Sequence, residues 1–399
     1  MTGSRVALGD SHNFGRRVSQ TAERVLKPRT VFWEWLMLAA ESPLRRLLSS
    51  AAEQAGMGAD AFGFLPTLKF YASKTASAGA VQRVRLEPLR GRSAAMKRAL
   101  AVILGRSLAL WTWLGVADLH WENLVLGVDR RGQIVFGPLD IEMMLADLSL
   151  PTETKLLPDA DPEYADVCRH AAGVRRVLPY LGKPVAAEDL LAMAAAYRET
   201  LEFLDRHAGA IAKVLASVPG LGEAPLRVLL RGTAEYVHAD TEQLWPPLLE
   251  AEIEQLARGD IPYFFRLYGR QGIHYFGERT LTRRLRLPLR GDVPQLDPLL
   301  PLARGLRSPT RQTLREDGLF TLLGAFDHAA LAGRHQTDEL AVTFGARRLV
   351  VRLRDGEELV SERNLSRFVS SVYLACRCGE VRSVLVPAVT KCRAANGAR

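Results

Sequence analysis

The segment from Ala94 to Val116 constrains the fold most, because it is the most apolar stretch of the chain. Lys97, Arg98 and Arg106 interrupt it, which argues against a membrane span and for a helix buried in a protein core. The chain has 399 residues, 48% of them hydrophobic, enough to surround such a helix with one large core or two smaller ones. We therefore predict a folded globular protein without a membrane span.

Cysteine use and the N-terminal residues indicate the compartment. Four cysteines are too few for a disulfide scaffold in a chain of this length, which favours a reducing environment. Residues 1–17 contain no continuous apolar stretch like that of a signal peptide. We predict a cytoplasmic protein. Cys376 and Cys378 form a C-x-C pair, but no second Cys or His pair stands at zinc spacing, so metal binding there is disfavoured.

The chain is strongly basic, with a formal net charge of +9. Arginines cluster between Arg279 and Arg315. Such a charge suits a polyanionic partner such as nucleic acid, nucleotide phosphate or an acidic peptide. No zinc finger or RNP-like aromatic strand accompanies it, so we interpret the cluster as a solvated basic face and predict no nucleic-acid partner.

Periodicity divides the chain into three predicted regions. Residues 1–92 mix short strand-like pieces with one helical stretch at 31–54. Residues 93–337 begin with the apolar helix and are mainly helical, and residues 338–399 alternate as strands do. The predicted class is α+β, with a small β-rich segment at the C-terminal end.

A polar segment, DLHWEN, follows the apolar helix directly, and two apolar runs after it flank Asp-Arg-Arg-Gly, a hairpin signal. If residues 124–128 pair with 133–137 as antiparallel strands, Asn123 and Asp140 lie close together at the open end of the hairpin. An amide oxygen and a carboxylate suit Mg²⁺, with phosphate and water completing its octahedron.

The spacing matches that of kinase-type phosphoryl-transfer enzymes. In those enzymes a catalytic Asp and a metal-binding Asn stand five apart, and a second metal-binding Asp follows a short hairpin. Here Asn123 follows Asp118 by five positions, and Asp140 follows Asn123 by 17. We predict that Asp118 accepts the proton of an attacking hydroxyl. Asn123 and Asp140 would hold Mg²⁺, and His120 would orient the loop or contact phosphate.

Two other interpretations of this segment carry less weight. In one, Asp118 and Asn123 merely cap the helix and form the turn after it, as these residue types often do. The other is a zinc deaminase centred on His120 and Glu122, which needs a later P-C-x-x-C that the sequence lacks.

A kinase-like site also needs a cation for the nucleotide phosphates. No Walker A sequence occurs, which argues against a P-loop enzyme. Lys27 is the candidate, because Pro28 favours an extended backbone at the residue before it. The alternative is that Lys27 is simply solvated.

Taken in order, these motifs resemble the dehydratase domain of class II lanthipeptide synthetases, over roughly residues 5–335. The family's G-D-x-H-N-x-G-R and Y-K-P-R segments are similar to LGDSHNFGRRV and LKPRT, with Leu26 in place of Tyr. Its D-x-H-x-E-N and D-x-E pair matches DLHWENLVLG and LDIE. Its R-x-x-x-R-x-T-x-x-Y and G-D-I-P-Y-F resemble RVLLRGTAEY and RGDIPYF. Five motifs in order are more specific than any one of them.

The resemblance implies a two-lobed kinase-like fold related to lipid kinases, with a mainly helical C-terminal lobe. It implies that the protein uses ATP and Mg²⁺ and acts on a ribosomally made precursor peptide. Lys27 would contact ATP phosphates, and four residues would form the phosphotransfer centre: Asp118, His120, Asn123 and Asp140. Four others would serve phosphate elimination, with Lys27 shared between the two steps: Asp10, His12, Arg227 and Thr233.

The elimination role is chemically reasonable for Arg227. Removing the α-proton of a phosphoserine needs a base near that carbon and a cation on the departing phosphate, which an arginine can bind through two N–H groups. If residues 225–240 are helical, Thr233 stands less than two turns from Arg227. The alternative is that Arg227 and Arg231 solvate a helix end.

We expect the GDIPYF segment to be mainly structural. Gly259 and Pro262 would shape a turn, and Tyr263 and Phe264 would pack inward.

The chain also departs from the family pattern. Family enzymes carry a long region before the first motif, which begins here at residue 8, so we expect elements that activate the kinase lobe or bind the leader peptide to be missing or supplied by another protein. No zinc-dependent cyclase motif follows, so we expect a separate cyclase or other maturation enzyme as a partner. The β-rich segment after about 338 has no counterpart there that we recognise. A tryptophan-containing motif that the family often shows between its Lys and Asp motifs is absent.

The expected function is ATP-dependent phosphorylation of Ser and Thr on a precursor peptide, followed by elimination to dehydroalanine or dehydrobutyrine. One alternative is a kinase that phosphorylates a peptide or small-molecule hydroxyl without elimination. Another is a degenerate protein that binds a peptide or nucleotide without turnover.

Overall fold

The computed structural model describes most of the chain up to residue 285 and short segments beyond it. The described residues are 6–58, 60–71, 78–146, 148, 150–158, 172–230, 233–237, 248–268, 270, 272–278 and 281–285, with short segments between 318 and 382. Our interpretations of the arginine cluster and of the Cys376 and Cys378 pair concern positions wholly or partly outside these ranges.

Small antiparallel sheets and helices share the described chain, which confirms the α+β class. An N-terminal sheet has the order β1-β2-β3-β4, a second sheet the order β10-β9-β8-β7, and a third the order β11-β12-β13-β14; β5 and β6 form a hairpin, as do β15 and β16. The strands are β1 Val6–His12, β2 Arg16–Gln20, β3 Arg24–Lys27, β4 Gly79–Gln82, β5 Leu124–Val128, β6 Ile134–Pro138, β7 Pro225–Val228, β8 Phe264–Leu267, β9 His274–Phe276, β10 Thr282–Arg284, β11 Gly333–Gln336, β12 Leu340–Phe344, β13 Arg348–Leu353, β14 Glu358–Glu362, β15 Ala375–Arg377 and β16 Glu380–Arg382.

The helices include two of 20 residues that form the centre of the core. In chain order, the α-helices of the described chain are α1 Phe32–Leu38, α2 Pro43–Gln54, α3 Ala94–Trp113, α4 Leu178–Leu181, α5 Ala187–Arg206, α6 Ala208–Ser217, α7 Thr233–Val237 and α8 Glu250–Leu256. Ser93 caps helix α3, because its side chain accepts a hydrogen bond from the Met96 N–H. The second half of the helix is almost wholly buried. The buried core helix is therefore confirmed. Within the described ranges, no helix is both long enough and apolar enough to cross a membrane.

The single helical stretch predicted at 31–54 was wrong, and the helix considered for 225–240 does not form at its start. The stretch 31–54 contains two helices, because Ser42 caps a new one by accepting the Arg45 N–H at 3.0 Å and Pro43 occupies its first turn. Residues 225–228 form strand β7, paired with β8 in the register Arg227 to Phe265. Leu226 and Val228 are buried and alternate with Arg227, which is the two-residue period of a strand.

A left-handed turn after α3 places the polar segment. Gly115 has a φ of 64°, and a Cβ atom there would lie 2.1 Å from the Ala146 carbonyl oxygen. The Leu145 N–H donates to Leu114 O at 2.9 Å, and the Ala117 N–H donates to Met143 O at 3.2 Å. These contacts join the residues just before Asp118 to those just after the LDIE segment.

The strand-rich C-terminal end starts by Gly333, and the sheet β11–β14 contacts α5. Val342 and Val351 belong to the same buried core cluster as the central helices. The predicted region boundaries at 92/93 and 337/338 remain predictions.

The packing of α3 on α5 can be tested at a glycine. A Cβ atom at Gly105 would lie 2.1 Å from the Met193 carbonyl oxygen of α5, so we expect Gly105→Ala to lower the free energy of unfolding by about 3 kcal/mol. Gly209 in α6 is the matched control, since nothing lies within 4 Å of an added Cβ. Gly209→Ala should be neutral or stabilise by up to about 1 kcal/mol. Urea unfolding of both variants measures this; equal stabilities would contradict the described helix contact.

Candidate functional site

The β5–β6 hairpin joins the two halves of the predicted phosphotransfer centre. Leu124 pairs with Pro138, and the Leu139 N–H donates to Asn123 O at 2.9 Å. Asp140 is the next residue, so Asn123 and Asp140 lie side by side at the open end of the hairpin. The predicted pairing is confirmed, with the second strand beginning one residue later than expected.

The loop before the hairpin is closed by Asn123. Its Nδ2 donates to the Asp118 carbonyl oxygen at 2.8 Å and lies 3.4 Å from Asp118 Oδ2. Its own N–H donates to His120 O at 3.0 Å. Asp118 has a left-handed φ of 65°, which is unfavourable for a residue with a side chain and is held here by these bonds. The loop therefore fixes the position of the Asp118 carboxylate.

Asp118 has the properties of a proton acceptor. Burial raises the pKa of its carboxyl group, helped by Glu142 and Asp140 and opposed by His120 and Arg227. His120 Nε2 stands 3.9 Å from Asp118 Oδ1. A carboxylate with a raised pKa is a stronger base toward a hydroxyl proton.

Lys27 ends strand β3, in the extended conformation that the sequence predicted. The side chain is buried, and its Nζ lies 2.8 Å from Glu34 Oε1, 2.8 Å from Leu139 O and 3.4 Å from Asp140 Oδ1. The alternative of a solvated lysine is therefore wrong: Lys27 is buried between α1 and the end of the hairpin.

Arg29, which the sequence analysis did not single out, contacts the same carboxylates as Lys27 and is a further candidate site residue. Its Nη2 contacts both Glu34, at 2.6 Å, and Asp140. Its Nε lies 2.5 Å from Glu142 Oε1. One buried guanidinium thus joins three carboxylates that come from α1 and from the LDIE segment.

These contacts, with Arg227, form a six-residue ion network. We use that term for three cations and three carboxylates: Lys27, Arg29 and Arg227 with Glu34, Asp140 and Glu142. Burial alone would raise the pKa of Asp140, but Arg29 and Lys27 hold it well below its usual range. Burial would likewise raise the pKa of Glu142, and Arg29 and Arg227 lower it. Both carboxylates are therefore ionised at neutral pH.

Arg227 connects strand β7 to the same network. Its N–H donates to Glu142 O at 2.9 Å, and its Nη1 donates to Glu142 Oε2 at 3.0 Å. Its guanidinium also lies over the Tyr263 ring, 5.4 Å from the centroid. Trp33 Nε1 donates to Pro225 O at 2.6 Å, which ties the start of β7 to α1.

His12 lies on the Arg227 side of the site. Its Nδ1 is 2.9 Å from Ile261 O, and because a carbonyl oxygen can only accept, Nδ1 carries the proton and Nε2 is left with its lone pair. Burial and the charge of Arg227 lower the pKa of His12. Its ring contacts the edge of Tyr263 at a centroid distance of 5.9 Å. The imidazole is therefore neutral, with Nε2 as the basic atom.

Two residues assigned to elimination by resemblance are less closely placed. Asp10 is exposed on β1, and its charge acts on His12 by raising the pKa of the imidazole. Thr233 begins helix α7, and among the residues that the structure describes no hydrogen bond joins it to the ion network. The structure therefore brings seven of the nine predicted site residues together. Asp10 lies at the edge of this group, and Thr233 is not joined to it by a described hydrogen bond.

The GDIPYF segment has the structural role expected of it. Gly259 has a φ of 74°, and Tyr263 and Phe264 are buried. Asp260, which the sequence analysis did not single out, accepts hydrogen bonds from the Ser11 hydroxyl and from the Phe14 and Gly15 N–H groups.

The other residues that the sequence analysis missed differ in how visible they were. Arg29 and Glu142 lay inside quoted motifs, so their charge was a usable signal. Glu34 lies inside an apolar helix and gave a weaker signal.

The donor set of the site fits Mg²⁺ bound together with phosphate. Asn123 directs its Nδ2 toward a carbonyl oxygen, which leaves its Oδ1 for a cation, and the Asp140 side chain is ionised and 31% exposed. Mg²⁺ commonly takes one or two protein oxygens and completes its shell with phosphate and water. In the described part of the chain, no group of three or more His, Cys, Asp or Glu residues is placed to hold a metal ion.

No protein-family model matches this chain, and no curated protein matches it in sequence.

The role of Arg29 can be tested through stability. We expect Arg29→Met to lower the free energy of unfolding by roughly 3–5 kcal/mol at pH 7, because it leaves buried carboxylates without their shared cation. Asp140 and Glu142 have lowered pKa values in the folded protein, so their stabilising effect exists above the unfolded pKa of about 4 and is lost as pH falls. The deficit of Arg29→Met should therefore shrink below about pH 4.

Arg198→Met is the matched control, since among the described residues Arg198 pairs along its own helix with Glu202, at 3.2 Å. Its effect should stay within about 0.5 kcal/mol at either pH. Denaturant unfolding at several pH values measures both variants. A pH-independent deficit for Arg29→Met would contradict the ion network.

Proposed function

We propose that this protein is an ATP-dependent dehydratase of the lanthipeptide type, which phosphorylates Ser or Thr of a peptide and then eliminates phosphate. The observation that carries the proposal is that Glu142 binds both Arg29, beside the phosphotransfer residues, and Arg227, beside His12. Groups suited to both half-reactions therefore share one ion network. The ordered resemblance of five motifs to that family supports the same proposal.

Phosphoryl transfer needs a base, a place for phosphate and a metal. Asp118, with its raised pKa, takes the proton of the attacking hydroxyl. Lys27 and Arg29 bind phosphate oxygens, and Asn123 and Asp140 would hold the metal. Mg²⁺-ATP supplies the phosphoryl group when it is bound.

Elimination needs a base on the other side of the same phosphate. His12 Nε2 takes the α-proton, the Cα–Cβ double bond forms, and the Cβ–O bond breaks with its electron pair on the leaving phosphate. Arg227 neutralises that phosphate as it departs. The neutral state of His12 suits this role, because an imidazolium could not accept a proton.

The architecture is compatible with the two-lobed, kinase-like fold that we propose. Sheet β1–β4 and helix α1 supply Lys27 and Glu34, as the N-terminal lobe of a kinase supplies its lysine and ion-paired glutamate. The hairpin after α3 supplies the metal-binding side. We further propose a cytoplasmic location, a precursor peptide as substrate, and a separate cyclase or maturation enzyme as partner.

A second candidate is a kinase that stops after phosphoryl transfer. The exposure of Asp10 and the placement of Thr233 favour it, since two of the residues assigned to elimination are not joined to the network by a described hydrogen bond. The two candidates differ in product: a stable phosphopeptide or a dehydrated peptide.

Mass spectrometry of a Ser/Thr-containing peptide encoded beside this gene, incubated with the full chain, ATP and Mg²⁺, tests the proposal. We expect loss of water. Asp118→Asn should slow phosphorylation by roughly 10²- to 10⁴-fold, because it removes the base. Arg227→Ala should accumulate the phosphopeptide instead of the dehydrated product.

Arg198→Ala is the control for both variants, because it removes a guanidinium of α5 that pairs with Glu202 of the same helix. It should dehydrate the peptide as the wild type does. Stable phosphate gain by the wild type would support the second candidate. No mass change with any peptide tested would contradict both, and continued dehydration by Arg227→Ala would contradict the role given to Arg227.

A further inference from the structure

The turn between β1 and β2 has an unusual backbone. Three successive residues, Asn13, Phe14 and Gly15, have left-handed φ values of 50°, 70° and 75°. Glycine adopts this conformation freely and asparagine tolerates it, but phenylalanine rarely does. Some contact outside the turn must therefore hold Phe14 in place, and the turn directly follows His12.

That contact is the carboxylate of Asp260. Its Oδ2 accepts the Phe14 N–H at 2.6 Å, and its Oδ1 accepts the Gly15 N–H at 2.9 Å and the Ser11 hydroxyl at 2.8 Å. Successive N–H groups in such a turn form a concave site for an anion. Here the anion is a side chain 245 residues further along the chain.

The surroundings of Asp260 hold its side chain in place. The residue is 1% exposed, and Arg258 Nε lies 3.7 Å from its Oδ2. The Arg258 guanidinium also covers the Phe14 ring at 4.1 Å from the centroid. The same arginine therefore holds the carboxylate and the residue whose backbone the carboxylate binds.

We call the bonds of Asp260 to the β1–β2 turn the clamp. Contacts of the next residue, Ile261, extend the clamp to His12. The Ile261 N–H donates to Ser11 O at 2.8 Å, and Ile261 O accepts from His12 Nδ1 at 2.9 Å. Asp260 and Ile261 together hold the chain on both sides of His12 and select its tautomer. The charged and titratable groups that act on this imidazole are Arg227 from β7, Glu142 from the LDIE segment, Asp10 from β1 and, at its ring edge, Tyr263.

We propose that Asp260 is a positioning residue for elimination: by clamping the left-handed turn, it holds His12 with Nδ1 on Ile261 O and Nε2 free to take the α-proton. The inference rests on the proposed function for the identity of the reaction. Asp260 does not touch the substrate in this proposal. Substitution of Asp260 should therefore leave the rate of phosphoryl transfer nearly unchanged.

Asp260→Asn tests this, because an amide places an NH₂ group against one of the N–H donors of the turn. Given a synthetic phosphoserine peptide, we expect the full-chain variant to eliminate phosphate roughly 10- to 100-fold more slowly, while its phosphorylation rate stays within about twofold. Asp129→Asn is the matched control: Asp129 accepts two N–H groups of the β5–β6 turn, at 2.8 and 2.9 Å, and should change neither rate. Equal losses in both steps would overturn the proposal, because a merely structural role predicts them.

Nitrogen NMR of His12 gives a readout that does not depend on activity. In the wild type we expect a protonated Nδ1 and an unprotonated Nε2, and in Asp260→Asn a mixture of tautomers. If that variant fails to fold, Ser11→Ala, which removes one donor to Asp260, should shift the tautomers in the same direction by less. An unchanged tautomer overturns the clamp whatever the activity. A wild type that does not dehydrate peptides, with the tautomer shift present, contradicts the proposed function and leaves the clamp standing.

Discussion

The contact of Arg29 with three carboxylates is the interaction on which the rest of the site depends. Glu34 comes from α1, and Asp140 and Glu142 follow the hairpin, so one guanidinium joins elements that are distant in sequence. A guanidinium presents five donors in one plane, whereas an ammonium group is a compact point charge. Through Glu142 the same contact reaches Arg227 on β7. The N-terminal sheet, the hairpin and the second sheet thus meet around one buried cation.

The ion network is also what the proposed two-step reaction would use. Three cations face three carboxylates, so the formal charges of the ion network cancel before phosphate binds. In the proposed function, one phosphate would lie between Lys27 and Arg29 on one side and Arg227 on the other, in place of some of their carboxylate contacts. In the proposed function, Asp118 would lie near the hydroxyl to be phosphorylated, and His12 near the carbon to be deprotonated. We infer that the phosphate stays in place while the base that acts on the substrate changes.

Local signals in the sequence were enough for the elements that carry the phosphotransfer residues. The apolar run predicted α3, Asp-Arg-Arg-Gly predicted the hairpin, and Pro28 predicted the extended backbone at Lys27. Contacts between residues distant in sequence could not be predicted from such local signals. Arg227 lies on a strand because β8 pairs with it, and four residues of alternating burial are too short to outweigh a helical expectation for the surrounding stretch. Asp260 binds a turn 245 residues away, and no sequence pattern near Asp260 predicts that contact.

We infer that both proposed steps use one phosphate position. The most direct measurement is the affinity of the full chain for a phosphoserine peptide, by fluorescence anisotropy, with and without Mg²⁺ and a non-hydrolysable ATP analogue. We expect the analogue to weaken peptide binding, because its terminal phosphate occupies the place of the peptide phosphate, and ADP, which lacks that phosphate, to leave it unchanged. Equal affinity for the phosphopeptide with saturating analogue would contradict a shared position.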